Sequence, residues 1–338
     1  MTVNIGIIGA GNISDTHARA ARALPDTKIS AVYGTNAQKV ERLAQAHGAK
    51  PFNDFNAFLA HRPMDLVLIG SPSGCHADEG IAAAKQGLHI LTEKPLDITT
   101  KRCDTLIDAA QKANVKLGVF FQDRTKPDIR KLKRWVDRGV IGKPLLIEAR
   151  VKWYRPPDYY SNSKWRGVLA LDGGGALMNQ GVHTVDVLLW LFGDPIRIQA
   201  RTATLLHNIE AEDTAVAILE FANGALCLLH STTAAYPGYP RRIEITGTQG
   251  TAILEHDRII AADLRDAPAD LLVGSTGDTN QSASSAVVSD VSGHQAILED
   301  FLHAIERNTT PLCDGEEGRR SVALIEEIYR LARAATIS

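Results

Sequence analysis

The sequence has little of what would tie it to an oxidising compartment, a membrane or a nucleic acid. Its 338 residues hold four cysteines, Cys75, Cys103, Cys227 and Cys313, none of them in a C-x-x-C pair. That excludes a disulfide framework and a cysteine-based zinc site as organising features, and it fits a reducing, cytoplasmic setting. Charge of one sign is also lacking. The 37 Lys and Arg against 39 Asp and Glu leave a formal net charge of −2, so nothing marks nucleic acid or a membrane surface as a general partner. No apolar run approaches the roughly 20 residues that a membrane helix needs. No basic n-region precedes the first apolar run, so no signal peptide is expected. Fixed-period repeats and low-complexity tracts are absent as well. What remains is ordinary globular composition, 44% hydrophobic and 22% charged, with length for about two domains.

The first twenty residues organise the rest. Val3 to Ile8 is an apolar run of strand length. It ends in Gly9-Ala10-Gly11-Asn12-Ile13-Ser14, and a helical stretch follows to Leu24. Strand, glycine-rich turn and helix in this order open a dinucleotide-binding fold. Gly9 permits the tight turn, and Gly11 lets the backbone approach a pyrophosphate. Ser14 is small enough for helix–strand packing. The N–H groups that start the helix, at Asn12 and Ile13, are then available to the phosphates.

Strand and helix patterns alternate through about residue 122. Strands are expected at Lys28–Tyr33, Asp65–Gly70, His89–Thr92 and Lys116–Phe121, with helices at Ala37–His47, Phe55–Ala60, Ala77–Gln86 and Thr100–Ala113. Near-continuous apolar strands between helices mean a parallel sheet covered on both faces. The expected domains are therefore 1–122, a doubly wound Rossmann domain, and 123–338, an α/β domain on a large, mostly antiparallel open sheet. In the second, Thr214–Phe221 and Ala225–Ser231 flank Asn223-Gly224, a tight-hairpin signal. Residues 266–292 look like a loop.

Two places carry chemistry. Glu93-Lys94-Pro95 follows a parallel strand, where such sheets bind ligands. A Lys-Pro bond takes the cis form at modest cost. Lys94 beside a cationic nicotinamide has its own cation disfavoured, which suits proton transfer near neutral pH; a solvated lysine in a turn is the competing explanation. The second place is a helix expected from Gly175 to Phe192, with Met178, Val182, Val185 and Leu189 on its core face. Asn179, His183 and Asp186 fall at i, i+4 and i+7 on another stripe. Asn179 would orient a substrate hydroxyl, His183 would take its proton, and Asp186 would fix the imidazole tautomer. A buried histidine satisfied by its neighbours is the alternative. One histidine with an amide is a poor ligand set, so no metal is expected. Trp153-Tyr154-Arg155-Pro156-Pro157 and Tyr159-Tyr160 form an aromatic loop suited either to stacking on a sugar or to packing at a contact. Tyr154, Arg155 and Tyr160 are its substrate-side candidates.

Together these motifs resemble the glucose–fructose oxidoreductase / inositol dehydrogenase (Gfo/Idh/MocA) family over essentially the whole chain. Gly9-x-Gly11-x-x-Ser14, Glu93-Lys94-Pro95, the N-x-x-x-H helix, Ser71-Pro72-Ser73 with His76, and Gly139-x-Ile141-Gly142 stand in the family's order. The resemblance implies reversible hydride transfer between NAD or NADP and a hydroxyl carbon of a sugar, cyclitol or polyol. It implies a homodimer or homotetramer formed through the second domain's sheet. Lys94 matches the family's catalytic lysine and His183 its histidine, with Asn179 between them in the substrate site. Glu93 matches a glutamate near the nicotinamide ribose. Ser71, Pro72, His76 and Gln122 line the cofactor side, and Trp165-Arg166 resembles a pair placed near nicotinamide and substrate.

Two departures matter. The family's usual aspartate is Asn179, which can orient a hydroxyl but cannot be a carboxylate base. After the second strand the chain reads Tyr33-Gly34-Thr35-Asn36-Ala37-Gln38-Lys39, with no acidic residue to hold the adenosine ribose. Thr35, Asn36 and Lys39 suit a 2′-phosphate, which leans the expectation towards NADP over NAD. Two other functions stay open on sequence: a glycosidase that oxidises its sugar transiently with NAD, and a non-catalytic dinucleotide-binding regulator.

Overall fold

A computed structural model describes residues 2–265 and 290–334. The expected loop at 266–292 lies almost wholly outside these. The chain divides into two compact units, Met1–Gln122 with Val287–Arg319, and Asp123–Ala286 with Arg320–Ser338. A linear division after residue 122 assigned 290–319 to the second domain; those residues group with the first unit instead.

In the first unit, strands β1 (Val3–Ile8), β2 (Thr27–Tyr33), β3 (Lys50–Phe52), β4 (Leu66–Ile69), β5 (His89–Thr92) and β6 (Leu117–Val119) form one sheet in the order β3-β2-β1-β4-β5-β6. Every pairing is parallel. The helices are α1 (Asn12–Arg22), α2 (Ala37–His47), α3 (Phe55–Leu59), α4 (His76–Ala84) and α5 (Thr100–Lys112). Central strands read as unbroken apolar runs because both faces are covered: Leu66, Val67, Leu68 and Ile69 are all fully buried. Helix α2 starts and stops where its residues say. The Asn36 side chain accepts the Lys39 N–H at 3.0 Å, and Gly48 ends the helix at φ 67°. The order 3-2-1-4-5-6 reverses direction beside β1, so the carboxyl ends of β1 and β4 flank the crevice where such sheets bind nucleotides.

The second unit carries β7 (Pro144–Lys152), β8 (Pro195–Ala203), β9 (Thr214–Phe221), β10 (Leu226–Thr232), β11 (Arg242–Gly247), β12 (Gly250–Glu255) and β13 (Arg258–Leu264), in the order β13-β12-β11-β7-β10-β9-β8. Only β7 and β10 pair in parallel. The hairpin at Asn223-Gly224 joins β9 to β10, with Gly224 at φ 83°. Helices α6 (Pro127–Asp137), α7 (Pro157–Ser161), α8 (Leu169–Asp172) and α9 (Val182–Phe192) belong to this unit. Helix α10 (Ser292–Arg307) packs in the first unit, and α11 (Gly315–Ala334) runs from the first into the second. One face of the sheet buries Ile147, Ala149, Leu219, Cys227 and Leu229. The other leaves Leu146, Leu226, Leu228, Ile218 and Val216 exposed, with Leu226 opposite Leu146 and Leu228 opposite Ile218. No helix among the described residues is long and apolar enough to cross a membrane.

Candidate active site

In the first unit the strand ends are stitched together beyond the sheet. Gly9 N–H donates to Tyr33 O, Gly70 N–H to Ile8 O, and Glu93 N–H to Ile69 O, each at 2.8 Å. The turn needs its glycine. At φ 108°, a Cβ on Gly9 would stand 2.7 Å from the Gly70 carbonyl oxygen and 2.8 Å from Ser14 Oγ. Gly11 differs: nothing lies within 4 Å of where its Cβ would be. It caps α1 with no side-chain hydrogen bond, so no cap side chain occupies the N–H groups of the first turn. That combination fits an anionic pyrophosphate.

The neighbouring strand ends carry the other cofactor-side candidates. Ser71 Oγ donates to Glu79 at 2.5 Å, and burial pushes the Glu79 carboxyl up to about 7. The buried His76 ring spans Pro95 O at 2.9 Å and Ser71 O at 3.1 Å, fixing the Ser71-Pro72 segment against the Glu93-Lys94-Pro95 segment. The Lys94–Pro95 bond is cis, and Lys94 is half-buried. Thr35, Asn36 and Lys39 are exposed, and no carboxylate stands between Gly34 and Lys39. Gln122 is half-buried, beside Gly293.

In the second unit the expected continuous helix is interrupted. Ala176–Gly181 is a π-helix, and the α-helix starts only at Val182. Its opening glycines meet close neighbours: a Cβ on Gly175 would lie 1.8 Å from Glu212 O, and one on Gly174 would lie 2.2 Å from Tyr329 Oη. Glu212 takes the place of a helix cap. Its carboxylate accepts from Gly175 N at 2.9 Å, Leu177 N at 2.7 Å and Tyr329 Oη at 2.9 Å. Burial holds its carboxyl up at about 7. A π-turn at this place is the kind of irregularity that marks functional sites.

The wider turn redirects the stripe. Asn179 Nδ2 donates to Asp172 at 2.7 Å, and Asn179 Oδ1 accepts from Gln180 Nε2 at 3.0 Å. Asp186 is committed to another partner than the expected His183. It forms a bidentate pair with Arg124, at 2.6 and 3.0 Å, with both side chains almost fully buried. The carboxylate beside His183 is Asp123, with Oδ2 3.8 Å from Nδ1. Asp123 also takes Arg241 at 2.5 Å and Lys126 at 2.7 Å, and both of those cations reach Asp257. The Arg241 and Lys126 charges hold the Asp123 carboxyl well below the usual range despite its burial. Nothing local announces this quartet, because Asp123 and Arg241 are 118 residues apart.

The aromatic loop assembles around Gln180. Arg155 Nη2 donates to Gln180 Oε1 at 3.2 Å, and Gln180 Nε2 donates to Tyr159 Oη at 3.0 Å. Arg155 stacks on Trp153 and Tyr159, and Arg166 on Tyr159 and Trp165. Arg155, Trp165, Arg166 and Asn179 thus belong to one connected group through Tyr159 and Gln180. Tyr160 turns inward, buried against His207 with its hydroxyl 2.8 Å from Thr233 Oγ1. Tyr154 pairs edge-on with Tyr236, away from that group.

A tight glycine turn, a helix N-terminus with no cap side chain and a lysine after β5, two strands along the same sheet, fit a dinucleotide-dependent enzyme. Residues 3–121 match the oxidoreductase family with an NAD-binding Rossmann fold, and residues 129–253 match the GFO/IDH/MocA C-terminal domain. The chain belongs to this family and is an NAD(P)-dependent oxidoreductase. Among solved structures, the WlbA dehydrogenase from Bordetella pertussis in complex with NADH and UDP-GlcNAcA is 31% identical, at a TM-score of 0.90 over 99% of this chain and 96% of that one. The myo-inositol 2-dehydrogenase of Thermotoga maritima is 26% identical over 331 residues, 95% of this chain and 94% of its own. The levoglucosan dehydrogenase of Pseudarthrobacter phenanthrenivorans is 26% identical over 292 residues, 76% of this chain and 74% of its own.

Proposed function

We propose that the protein transfers a hydride between the nicotinamide of NAD(P) and a secondary alcohol carbon, or the matching ketone, of a sugar, cyclitol or related polyol. The observation that carries this is the agreement of both units with one oxidoreductase family, among relatives named for inositol, levoglucosan and apiose. The bound nicotinamide supplies the hydride acceptor. This chain's residues hold the substrate and move the proton. As the carbon gives up its hydride, the hydroxyl proton passes to Lys94 or His183, neither of which is fully buried. Asn179, held by Asp172 and Gln180, orients the hydroxyl without taking its proton. The half-buried Tyr159–Arg166–Trp165 stack supplies the polar and aromatic surface a polyol requires, with the buried Arg155 supporting it from behind through Tyr159 and Gln180.

On the cofactor side, Gly9, Gly11, Asn12 and Ile13 hold the pyrophosphate, and Ser71, Pro72, His76, Glu93, Gln122, Trp165 and Arg166 the nicotinamide half. The absence of a carboxylate from Gly34 to Lys39 favours NADP over NAD. There the exposed Thr35, Asn36 and Lys39 would take a 2′-phosphate. The exposed apolar face through Leu146, Leu226, Leu228 and Ile218 suits a homodimer or homotetramer. Four free cysteines accord with a cytoplasmic setting.

The test is a fluorescence titration of the purified protein with NADH and NADPH separately, followed by a polyol panel including myo-inositol, levoglucosan and D-apiose. Tighter NADPH binding and turnover on one of these is the expected result. Binding without turnover on any polyol would make the protein a regulator. Hydrolysis of aryl glycosides with no net cofactor change would make it a glycosidase.

A further inference from the structure

Glu93 does not stand alone behind Lys94. Its side chain is buried, and its Oε1 lies 3.0 Å from His17 Nε2 and 3.3 Å from His294 Nε2. The two imidazoles come from different helices: His17 from α1, which begins at the dinucleotide turn, and His294 from the first turn of α10. Both are at most 2% exposed. The other oxygen, Oε2, accepts the backbone N–H of Lys94 at 3.2 Å.

We propose that His17 and His294 are positioning residues for the reaction. Two imidazoles clamp one oxygen of Glu93 and leave the other to fix the peptide N–H of Lys94, and with it the direction of the lysine side chain. This rests on the reading above that Lys94 moves the substrate proton. It goes beyond that reading by giving α10, far along the chain, a part in the site.

Three observations support the clamp. His17 is held by more than its hydrogen bond, because its ring stacks on Phe120 at 4.5 Å and 17° between planes. Its Nδ1 is buried with no hydrogen-bond partner among the described residues, so the ring carries its proton on Nε2, towards Glu93. The charges agree as well. Burial keeps His17 below its ordinary value, against the pull of Glu93 and with His294 and His76 adding to the push. Against its own burial, the hydrogen bonds from His17 and His294 hold Glu93 well below the carboxylate range. The cluster is thus an anion held by an uncharged donor on its α1 side.

The same three side chains are also a group that a metal ion would accept, with ligand atoms within 4.8 Å of one another. The group has three such members among the described residues, short of the four ligands of a closed structural zinc site, and the second Glu93 oxygen is already engaged. Hydrogen bonds account for the distances without an ion.

The test uses the full chain with 15N-labelled histidine and the variants His17→Gln, His294→Gln and His294→Leu. Glutamine keeps an N–H at nearly the reach of Nε2; leucine removes it. Wild type should show His17 protonated on Nε2 and uncharged at pH 8, taking up its second proton only below the ordinary imidazole range, with its signal displaced in His294→Leu. His294→Leu should lower kcat on the best polyol of the panel roughly tenfold, the usual scale for a buried bond to a charged group. NADH affinity should stay within about threefold, and His294→Gln should recover most of the loss. Wild-type kcat in His294→Leu, His17 protonated on Nδ1, or stoichiometric zinc or iron by elemental analysis would overturn the clamp. If wild type turns over no polyol, the function fails, and the His17 signals still decide the clamp. If His294→Leu does not fold, the two glutamine variants carry the kinetic arm.

Discussion

Asp186 allows the sharpest separation between a structural and a catalytic part. The change is Asp186→Asn. The carboxylate is fully buried and paired twice with Arg124, itself 2% exposed, so the variant leaves a guanidinium charge in the interior without its counter-ion. Breaking one side of such a pair costs about 3–5 kcal/mol. For a unit of this size that lowers the melting midpoint by on the order of 10 °C. Arg124 also lies over the Trp190 ring, 5.5 Å from its centroid, which keeps the cation in place rather than letting it swing to solvent. Replacing both partners, Arg124→Met with Asp186→Leu, should recover most of the loss, because no charge is then stranded. The assay is thermal and urea unfolding of the two single variants and the double variant, with NADH affinity recorded for each. NADH affinity should be unchanged wherever the fold is retained. An Asp186→Asn protein that melts with wild type but turns over poorly would refute this, and would return Asp186 to the role of holding the His183 tautomer.

Other outcomes follow from the same geometry. Gly11→Ala should change stability by less than about 1 kcal/mol, because its Cβ meets nothing, yet weaken NADH binding at least tenfold in the titration. Gly175→Ala should fail to fold or melt far below wild type by circular dichroism, since its Cβ collides with the Glu212 backbone. Glu79 has its carboxyl pushed up to about 7 when folded, so its contribution is complete below about pH 4.5 and is lost as pH rises through 7. Glu79→Gln should therefore unfold later than wild type at pH 8, by up to about 3 kcal/mol, and match it near pH 5. Lys39→Ala should weaken NADPH binding several-fold and leave NADH binding unchanged, read by the two titrations.

The Rossmann unit was legible because its signals are local. The Val3–Ile8 strand, the Gly9 turn and the α2 helix each depend on neighbours within a few residues. The hairpin at Asn223-Gly224 was legible for the same reason. The Asn179–His183–Asp186 stripe was not, because a periodicity of 3.6 assumes an unbroken α-helix, and Ala176–Gly181 winds more widely. That turn is held by Glu212 and by Tyr329 near the end of the chain, which no window around residue 180 contains. Asp123 next to His183 and His294 next to Glu93 were hidden likewise: long-range ion pairs have no sequence period. The grouping of 290–319 with the first unit depends on helix α10 packing on α1 and burying His294 there, and its amphipathic pattern does not say which partner it covers.

The most direct measurement on the central claim is turnover by Lys94→Ala on the polyol that wild type oxidises best, alongside its NADH affinity. The account predicts a loss of kcat of about a hundredfold or more, the scale of a general acid–base group, with NADH still bound. Turnover undiminished by the substitution would contradict it.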